Sequence, residues 1–462
     1  MPTQPARPDT ATIVELDRAH VLHPYQGFDT FRHDDVLPIA EGSGAFLVDT
    51  EGREYIDAVG GMWCTNIGLG RGEMADAIAT QVRALAYANP FADMTNVPSV
   101  QLAARLAELA PGNLNHVFYT CGGSTAIDAT FRLIQFYQHA LGRPGKRTII
   151  SRVDAYHGTT FAAASIGGKP GDRIPGFDYL DDRIVHLSSP NYYRFGGDRT
   201  EQEFADHLVA EFEATVDRVG GPDTVAAFFA EPIMGSGGVI PPPADYLQRV
   251  WQLCRQHDIL YVSDEVVTAF GRLGEWFASH TMFGIQPDVI TTAKGLTSGY
   301  LPLGASIFSD TIFDVIAEEG HGRYFAVGYT YSGHPVSCTA ALKNIEILER
   351  ERLLPHVKQV GPYFMQRLQE LRDLPMVGDV RGSHLMACVE FVSDQTTKSL
   401  YPEELNIGKL VSNACEPRGL IVRPMDNLNV MSPPLVVTND DIDTIVNTLR
   451  DAIVEVRAAL DA

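Results

Sequence analysis

The chain has 462 residues and a formal net charge of −22, with ordinary apolar content. That length exceeds a single packed core, so two or three subdomains are expected. The acidic balance argues against a nucleic-acid or anionic-membrane partner, and no stretch is apolar for long enough to span a bilayer. The opening Met1-Pro-Thr-Gln-Pro-Ala-Arg-Pro8 lacks the apolar core of a signal peptide, and residues 1–20 read as a disordered leader. Two alternating runs around Asp49-Thr-Glu-Gly52 predict a β-hairpin over 44–57. Helical periodicity follows over 74–86, 99–109 and 126–141, with a short apolar strand at 116–120. Further strands are expected at 148–153, 225–231, 259–264, 289–293 and 303–308, and a helix at 245–257. Continuous apolar strands separated by helices imply a parallel sheet covered on both faces, with ligands beyond the carboxyl ends of its strands. After about residue 345 the pattern becomes helix, short strands, helix. The last helix, capped by Asn439 or Asp440, puts Ile442, Ile445, Val446, Leu449 and Ile453 on one packing face.

The six cysteines are scattered without a Cys-x-x-Cys pair, the usage of a reducing compartment, so a cytoplasmic protein is expected. Fourteen histidines show no ligand spacing, and no metal is expected.

The chemistry gathers at strand ends. In Asp288-Val-Ile-Thr-Thr-Ala-Lys-Gly295 a β-branched run stops at Lys294 and a glycine turn. Read alone, Lys294 is also what a solvated surface lysine would be. Partly desolvated above a sheet, its amine would have a lowered pKa and react with carbonyls. Thr120-Cys-Gly-Gly-Ser-Thr-Ala-Ile-Asp128 joins a strand to a helix and offers backbone N–H groups and hydroxyls to an anion, or is an ordinary capped turn. Asp264 ends another strand, where a carboxylate needs a cationic partner. Glu231 falls at a further strand end, and Tyr156 in Asp154-Ala-Tyr-His-Gly158 could stack on a flat ring. An anion cup, a stacking ring, an acid and an amine are together the needs of pyridoxal phosphate.

At these motifs the chain resembles the class III aminotransferases, from about residue 20 to the C-terminus. The most specific stretches are Phe229-Ala-Glu-Pro-Ile-Met-Gly235, Ser263-Asp-Glu-Val-Val-Thr-Ala-Phe-Gly-Arg-Leu-Gly274, Pro287-Asp-Val-Ile-Thr-Thr-Ala-Lys-Gly295 and Thr330-Tyr-Ser-Gly-His-Pro335. The resemblance implies an α/β fold of the aspartate-aminotransferase-like type (fold type I). A large cofactor domain (75–344) would hold a mostly parallel sheet between helices, and a small α+β domain would form from both chain ends (21–74 and 345–462). It makes Lys294 the Schiff-base lysine and Asp264 the partner of the ring nitrogen, with Val266 and Tyr156 on the two ring faces. Gly123 and Ser124 would hold the phosphate, joined by Tyr329 and Thr330 from a neighbouring subunit, which implies a homodimer with a shared site, possibly a tetramer. His157 and Glu231 join the cofactor set, and Tyr25 and Phe91 the substrate pocket.

Within the family, the chain is similar to the amine:pyruvate (omega) branch, whose pocket tryptophan and arginine match Trp63 and Arg423. The 4-aminobutyrate and ornithine branches usually carry Gln where Val267 stands and Glu where Ser236 stands. Trp63 is also what a core residue beside the hairpin would be, and Arg423 what a surface arginine would be. One departure concerns the phosphate loop, which usually reads Ser-Gly-Ser-Glu-Ala. Here Gly122 lacks a hydroxyl and Thr125 replaces a carboxylate. The implied reaction is ping-pong transamination from an amine or omega-amino acid to a keto acid such as pyruvate. The alternatives are a 4-aminobutyrate- or ornithine-type enzyme, a decarboxylating dialkylglycine-type enzyme, an aminomutase, or a non-catalytic binding subunit of the same fold.

Overall fold

A computed structural model describes residues 9–28 and 36–461 of the chain, and among them fifteen strands form three sheets. The first strands are β1 (Ile39–Ser43), β2 (Phe46–Asp49) and β3 (Glu54–Asp57). The middle of the chain supplies β4 (His116–Thr120), β5 (Thr148–Arg152), β6 (Ile184–Leu187), β7 (Val225–Ala230), β8 (Leu260–Asp264), β9 (Val289–Thr292) and β10 (Gly304–Phe308). The last are β11 (Val377–Ser383), β12 (Met386–Phe391), β13 (Leu420–Ile421), β14 (Arg423–Met425) and β15 (Leu428–Met431).

The central sheet has the order β4-β10-β9-β8-β7-β5-β6. From β6 to β9 neighbours run parallel, while β10 is antiparallel to both β9 and β4. That exception follows from the connection: residues 293–303 hold only one short turn of helix, too little for a parallel crossover. All six residues of β7 are buried, because helices cover both faces. Ala227 and Phe229 pack with Phe131 and Ile134 of the helix Gly123–Ala140. Phe228 and Ala230 pack on the opposite side with Leu208 and Phe212 of Glu201–Arg218 and Val250 of Tyr246–Gln256. Each fully buried phenylalanine contributes about 2–3 kcal/mol of burial free energy. The edge strand β6 was not legible from periodicity, since four residues including His186 make too short an apolar run.

A second sheet, β1-β2-β3-β13, pairs the N-terminal hairpin with a strand near the other end of the chain, Leu420 opposite Ile56 and in parallel. The third, β11-β12-β15-β14, is wholly antiparallel. The C-terminal helix Asn439–Leu460 lays Ile442, Ile445, Leu449 and Ile453 onto the same core as Val377, Val389, Ile56 and Ile67.

Two local expectations are corrected. Part of the leader is ordered: Thr10–His20 is a helix, because the carboxylate of Asp9 accepts Thr12 N at 3.0 Å and so caps it. Residues 1–8 of that leader lie outside the described residues. The cap of the last helix is Thr438, not Asn439 or Asp440. Its hydroxyl accepts Asp441 N at 3.2 Å while the Asp441 carboxylate accepts Thr438 N at 2.8 Å, a reciprocal box that satisfies two otherwise orphan donors.

A buried ion cluster ties the third sheet to the central part of the chain. Glu390 on β12 pairs with Arg381 on β11 and with Arg194, and Arg381 also pairs with Asp379 at 3.1 Å and donates to Gly238 O at 2.8 Å. Glu390 is 3% exposed, so removing its charge leaves two guanidiniums partly uncompensated in a poorly solvated place. Glu390→Gln is expected to lower stability by about 3 kcal/mol, read as a lower urea midpoint with an unchanged slope.

Candidate active site

Parallel pairing sets the site. Ala230 at the end of β7 lies opposite Ser263 of β8, and Asp264 at the end of β8 lies opposite Thr291 of β9. Glu231, Asp264 and Lys294 therefore emerge from adjacent strand ends. The turns after β4 and β5 reach the same edge and bring Gly123, Ser124, Tyr156 and His157. These seven residues, with Val266, Trp63, Ser236, Tyr25 and Arg423, line one cavity of about 670 Å³. Phe91, Tyr329 and Thr330 do not line it. Phe91 is exposed beside Gly328, Tyr329 donates from its hydroxyl to Thr125 O at 3.1 Å, and Thr330 O accepts the hydroxyl of Tyr87 at 2.8 Å.

The acid is fixed on three sides. Asp264 Oδ2 accepts His157 Nδ1–H at 2.7 Å, and Oδ1 accepts Val266 N and the Thr291 hydroxyl, each at 3.1 Å. A donating Nδ1 leaves His157 Nε2 to accept the Ser151 hydroxyl at 3.3 Å, so ring and tautomer are held together. Glu231 is buried and serves the backbone: its two oxygens accept Tyr156 N at 3.1 Å and Gly235 N at 2.7 Å. Burial pushes its carboxyl pKa up.

Lys294 has φ +42°, the left-handed region, in the tight turn that follows β9. Burial lowers its amine pKa, opposed by the charges of Asp264 and Glu231. The turn is gripped from behind. Asn344 Nδ2 donates to Gly295 O at 2.8 Å and Leu296 O at 3.1 Å, and the Ser298 hydroxyl donates to Asn344 Oδ1 at 2.5 Å.

The first N–H groups of the helix Gly123–Ala140 have no intrahelical partner, and two of the residues that carry them, Gly123 and Ser124, line the cavity. Thr125 turns back instead, its hydroxyl oxygen accepting Gly122 N at 3.0 Å and Cys121 N at 3.2 Å. It caps the helix, the task a carboxylate three residues into a helix performs in a capping box. Ser124 Oγ accepts Thr159 N at 3.1 Å. Gly158 passes so close that a Cβ there would stand 2.3 Å from Ser124 Oγ, at φ +122°. The sequence shows Gly158 as the residue after Tyr156-His157 but gives no sign of this approach, which is tertiary.

On the opposite wall, Trp63 is 2% exposed and packs with Val59, Ile233 and Leu273, so it is a core residue and a cavity wall at once. It projects from a turn whose N–H groups, Val59 N at 3.0 Å and Gly61 N at 2.6 Å, donate to the buried Asp57 carboxylate. Arg423 also lines the cavity. Its Nη1 rests on Met62 Sδ at 2.6 Å, and among the described residues no carboxylate is within ion-pair distance of it. Burial lowers its pKa. Lys169, Asp172, Lys409 and Asp426 also line the cavity, none of them signalled by a motif: they come from a single helical turn at 170–172 and the residue before it, from the helix Ile407–Cys415, and from the turn after β14.

The "Aminotransferase class-III" family model matches residues 30–453. The chain belongs to the class III aminotransferases. This aminotransferase is 38% identical over 446 residues to a putrescine–pyruvate aminotransferase of Pseudomonas aeruginosa, covering 96% of each chain. It is likewise 38% identical over 420 residues to a mitochondrial gamma-aminobutyrate transaminase of Oryza sativa, covering 90% of this chain and 81% of that one. Among solved structures it resembles the omega transaminase of Pseudomonas jessenii in complex with PMP, with a TM-score of 0.93 and 37% identity over 96% of this chain and 98% of that one. The fold is the α/β fold type I of such enzymes.

The cofactor is pyridoxal 5′-phosphate, and the cavity fits it. It offers a buried carboxylate for a ring nitrogen, a desolvated amine for an aldehyde and an open helix N-terminus for a phosphate. The close pass of Gly158 makes a test of the anion end. In Gly158→Ala the added Cβ must displace Ser124, and overpacking of this kind costs about 1–3 kcal/mol. Cofactor affinity, read by absorbance titration of the apo-variant, is expected to fall about ten- to hundred-fold.

Proposed function

We propose that this aminotransferase moves an amino group from an amine or omega-amino acid to pyruvate in a ping-pong reaction. The observation that carries this reading is Arg423: a guanidinium in the cavity wall, resting on a thioether and without an acid partner among the described residues. Such a group is free to form a bidentate pair with the carboxylate of a keto acid. Ser236, which also lines the cavity, stands where the 4-aminobutyrate and ornithine branches usually carry Glu.

Pyridoxal phosphate, when bound, supplies an aldehyde that takes up the amino group and a ring that accepts electrons. The chain's residues do the rest. Lys294 Nζ, made less basic by burial, is the base that takes the proton from the amine-bearing carbon of the donor and gives it back later in the transfer. Asp264 would hold a protonated ring nitrogen, and its own orientation comes from His157, Thr291 and the Val266 N–H. Tyr156, whose backbone is fixed by Glu231, and Val266 would flank the ring. Gly123 and Ser124 would hold the phosphate through helix N–H groups. Trp63, Tyr25, Ser236 and Arg423 bound the substrate space.

Phe91, Tyr329 and Thr330 serve the site of a second copy, in a cytoplasmic homodimer. Supporting this, they lie outside their own cavity, near Tyr87, Met94, Val97 and Tyr331, which expose large apolar side chains. The six described cysteines are all free. No helix among the described residues is long and apolar enough to cross a membrane. We assign residues 75–344 to the cofactor domain and 21–74 with 345–462 to the small domain, in keeping with the pairing of β3 and β13.

A second reading, whose donor the rice relative favours, is transfer from 4-aminobutyrate to a dicarboxylic keto acid. A panel of amine donors with pyruvate or with a dicarboxylic keto acid separates the two. Alanine formation is the expected result, and turnover only with the dicarboxylic acceptor sinks the pyruvate reading. Lys294→Ala should lose the about two to four orders of magnitude that a positioned base contributes, while still retaining cofactor. Arg423→Ala should raise the KM for pyruvate several-fold more than that for an uncharged aldehyde, and equal losses would refute its role.

A further inference from the structure

We propose that Asp57 is a positioning residue that sets the size of amine donor the pocket admits: without lining the cavity itself, its carboxylate holds the strained turn that presents Trp63. The inference rests on the reading of Trp63 as a bound of the substrate space and asks what keeps that bound in place.

The turn Gly60-Gly-Met-Trp63 departs from ordinary backbone geometry. Gly60, Gly61 and Trp63 have φ of +63°, +64° and +64°. Glycine takes such values freely, but a bulky residue keeps them only where its surroundings over-determine them. The indole does not hold itself there by a hydrogen bond, since its Nε1–H finds no acceptor among the described residues although Trp63 is buried. It rests by shape alone, packed with Val59, Ile233 and Leu273 and against Gly235, where a Cβ would stand 3.0 Å from its Cζ3. The hold on its direction must come through the backbone.

Asp57 supplies that hold. Its carboxylate is buried and lies outside the cavity lining, and among the described residues no cation is within ion-pair distance of it. Both oxygens are spent on the turn: Oδ1 accepts Val59 N at 3.0 Å and Oδ2 accepts Gly61 N at 2.6 Å. Hydrogen bonds to an ionised acceptor are about twice as strong as neutral ones. The same backbone is held from another direction by the residue after β15. The Ser432 hydroxyl donates to Val59 O at 2.7 Å, and a Cβ on Gly60 would stand 2.6 Å from Ser432 O. A wall fixed in this way excludes large groups by not yielding. A wall free to relax would let a larger donor push the indole off Gly235 at little cost.

The test uses the holoenzyme with pyruvate as acceptor and two donors that share one head group, 2-aminobutane and 1-phenylethylamine. Asp57→Asn keeps the shape of the side chain but leaves one acceptor for two N–H donors. Gly61→Ala keeps the carboxylate and strains the same turn from the backbone, at a φ that a Cβ disfavours. In each, the ratio of kcat/KM for the two donors should shift about ten-fold towards the aryl amine, the size of one lost hydrogen bond to a charged group. The shift should appear in KM, with cofactor affinity unchanged. In a Trp63→Ala background, Asp57→Asn should move the ratio no further, because the residue it acts through is gone. If Asp57→Asn does not fold, Gly61→Ala decides alone. An unmoved ratio in a folded variant, an equal loss with both donors, weakened cofactor binding, or the same shift with Trp63 absent would overturn the proposal. Trp63→Ala by itself reports on the underlying reading: an unmoved ratio there sinks Trp63 as a substrate bound, and a moved one keeps it whatever Asp57 does.

Discussion

Parallel pairing of adjacent strands is the constraint on which the site depends. In a parallel sheet every strand delivers its carboxyl end to the same edge. Three residues far apart in sequence, Glu231, Asp264 and Lys294, thereby become neighbours without any contact having to select them. The register then does finer work: with Asp264 opposite Thr291, a hydroxyl on the next strand is already placed to orient the carboxylate. The antiparallel β10 does not disturb this, because it returns the chain to pair with β4, whose carboxyl end again faces the site.

What the sheet places, a buried polar layer then holds. Lys294 sits in a left-handed conformation that a non-glycine residue adopts at a cost of about 1–3 kcal/mol. Asn344 takes two carbonyls of its turn, and Asn66 joins that region to Arg272, which donates to Leu385 O at 3.1 Å and to Asn66 Oδ1 at 3.0 Å. Each of these groups is buried and would be costly unpaired. Their contacts over-determine a strained backbone, which is the condition for such strain to persist.

The cofactor side of the cavity was legible from sequence because its residues stand where a periodic element stops. Lys294, Asp264 and Ser124 are each found at the end of an apolar run, and the strand ends and the loop before the helix Gly123–Ala140 follow from periodicity to within a few residues. The rest of the lining was not legible. Lys169, Asp172, Lys409 and Asp426 belong to turns and short helical segments whose position is set by tertiary packing, as is the approach of Gly158 to Ser124. The helix Thr10–His20 escaped for a related reason: it buries none of its residues, so no apolar stripe announces it, and only the cap at Asp9 marks its start. The role of Thr125 was half legible, since a missing carboxylate can be read from the sequence but its replacement by a hydroxyl cap cannot.

The pairing of β3 with β13 has a consequence for how the molecule is made. Leu420 and Ile421 are needed to complete the sheet that carries the hairpin, and Trp63 and Arg423, from opposite ends of the chain, line the same cavity. During synthesis the central sheet can form from contiguous strands. The N-terminal segment cannot reach its own partners until most of the polypeptide has left the ribosome. Contacts this distant in sequence carry a large loop-closure entropy and are made late. The anion cup and the acid therefore come together before the wall that selects the substrate. A nascent chain passes through a stage with an open, unselective cofactor face and an uncovered N-terminal hairpin, the point at which it is most exposed to aggregation and to chaperones.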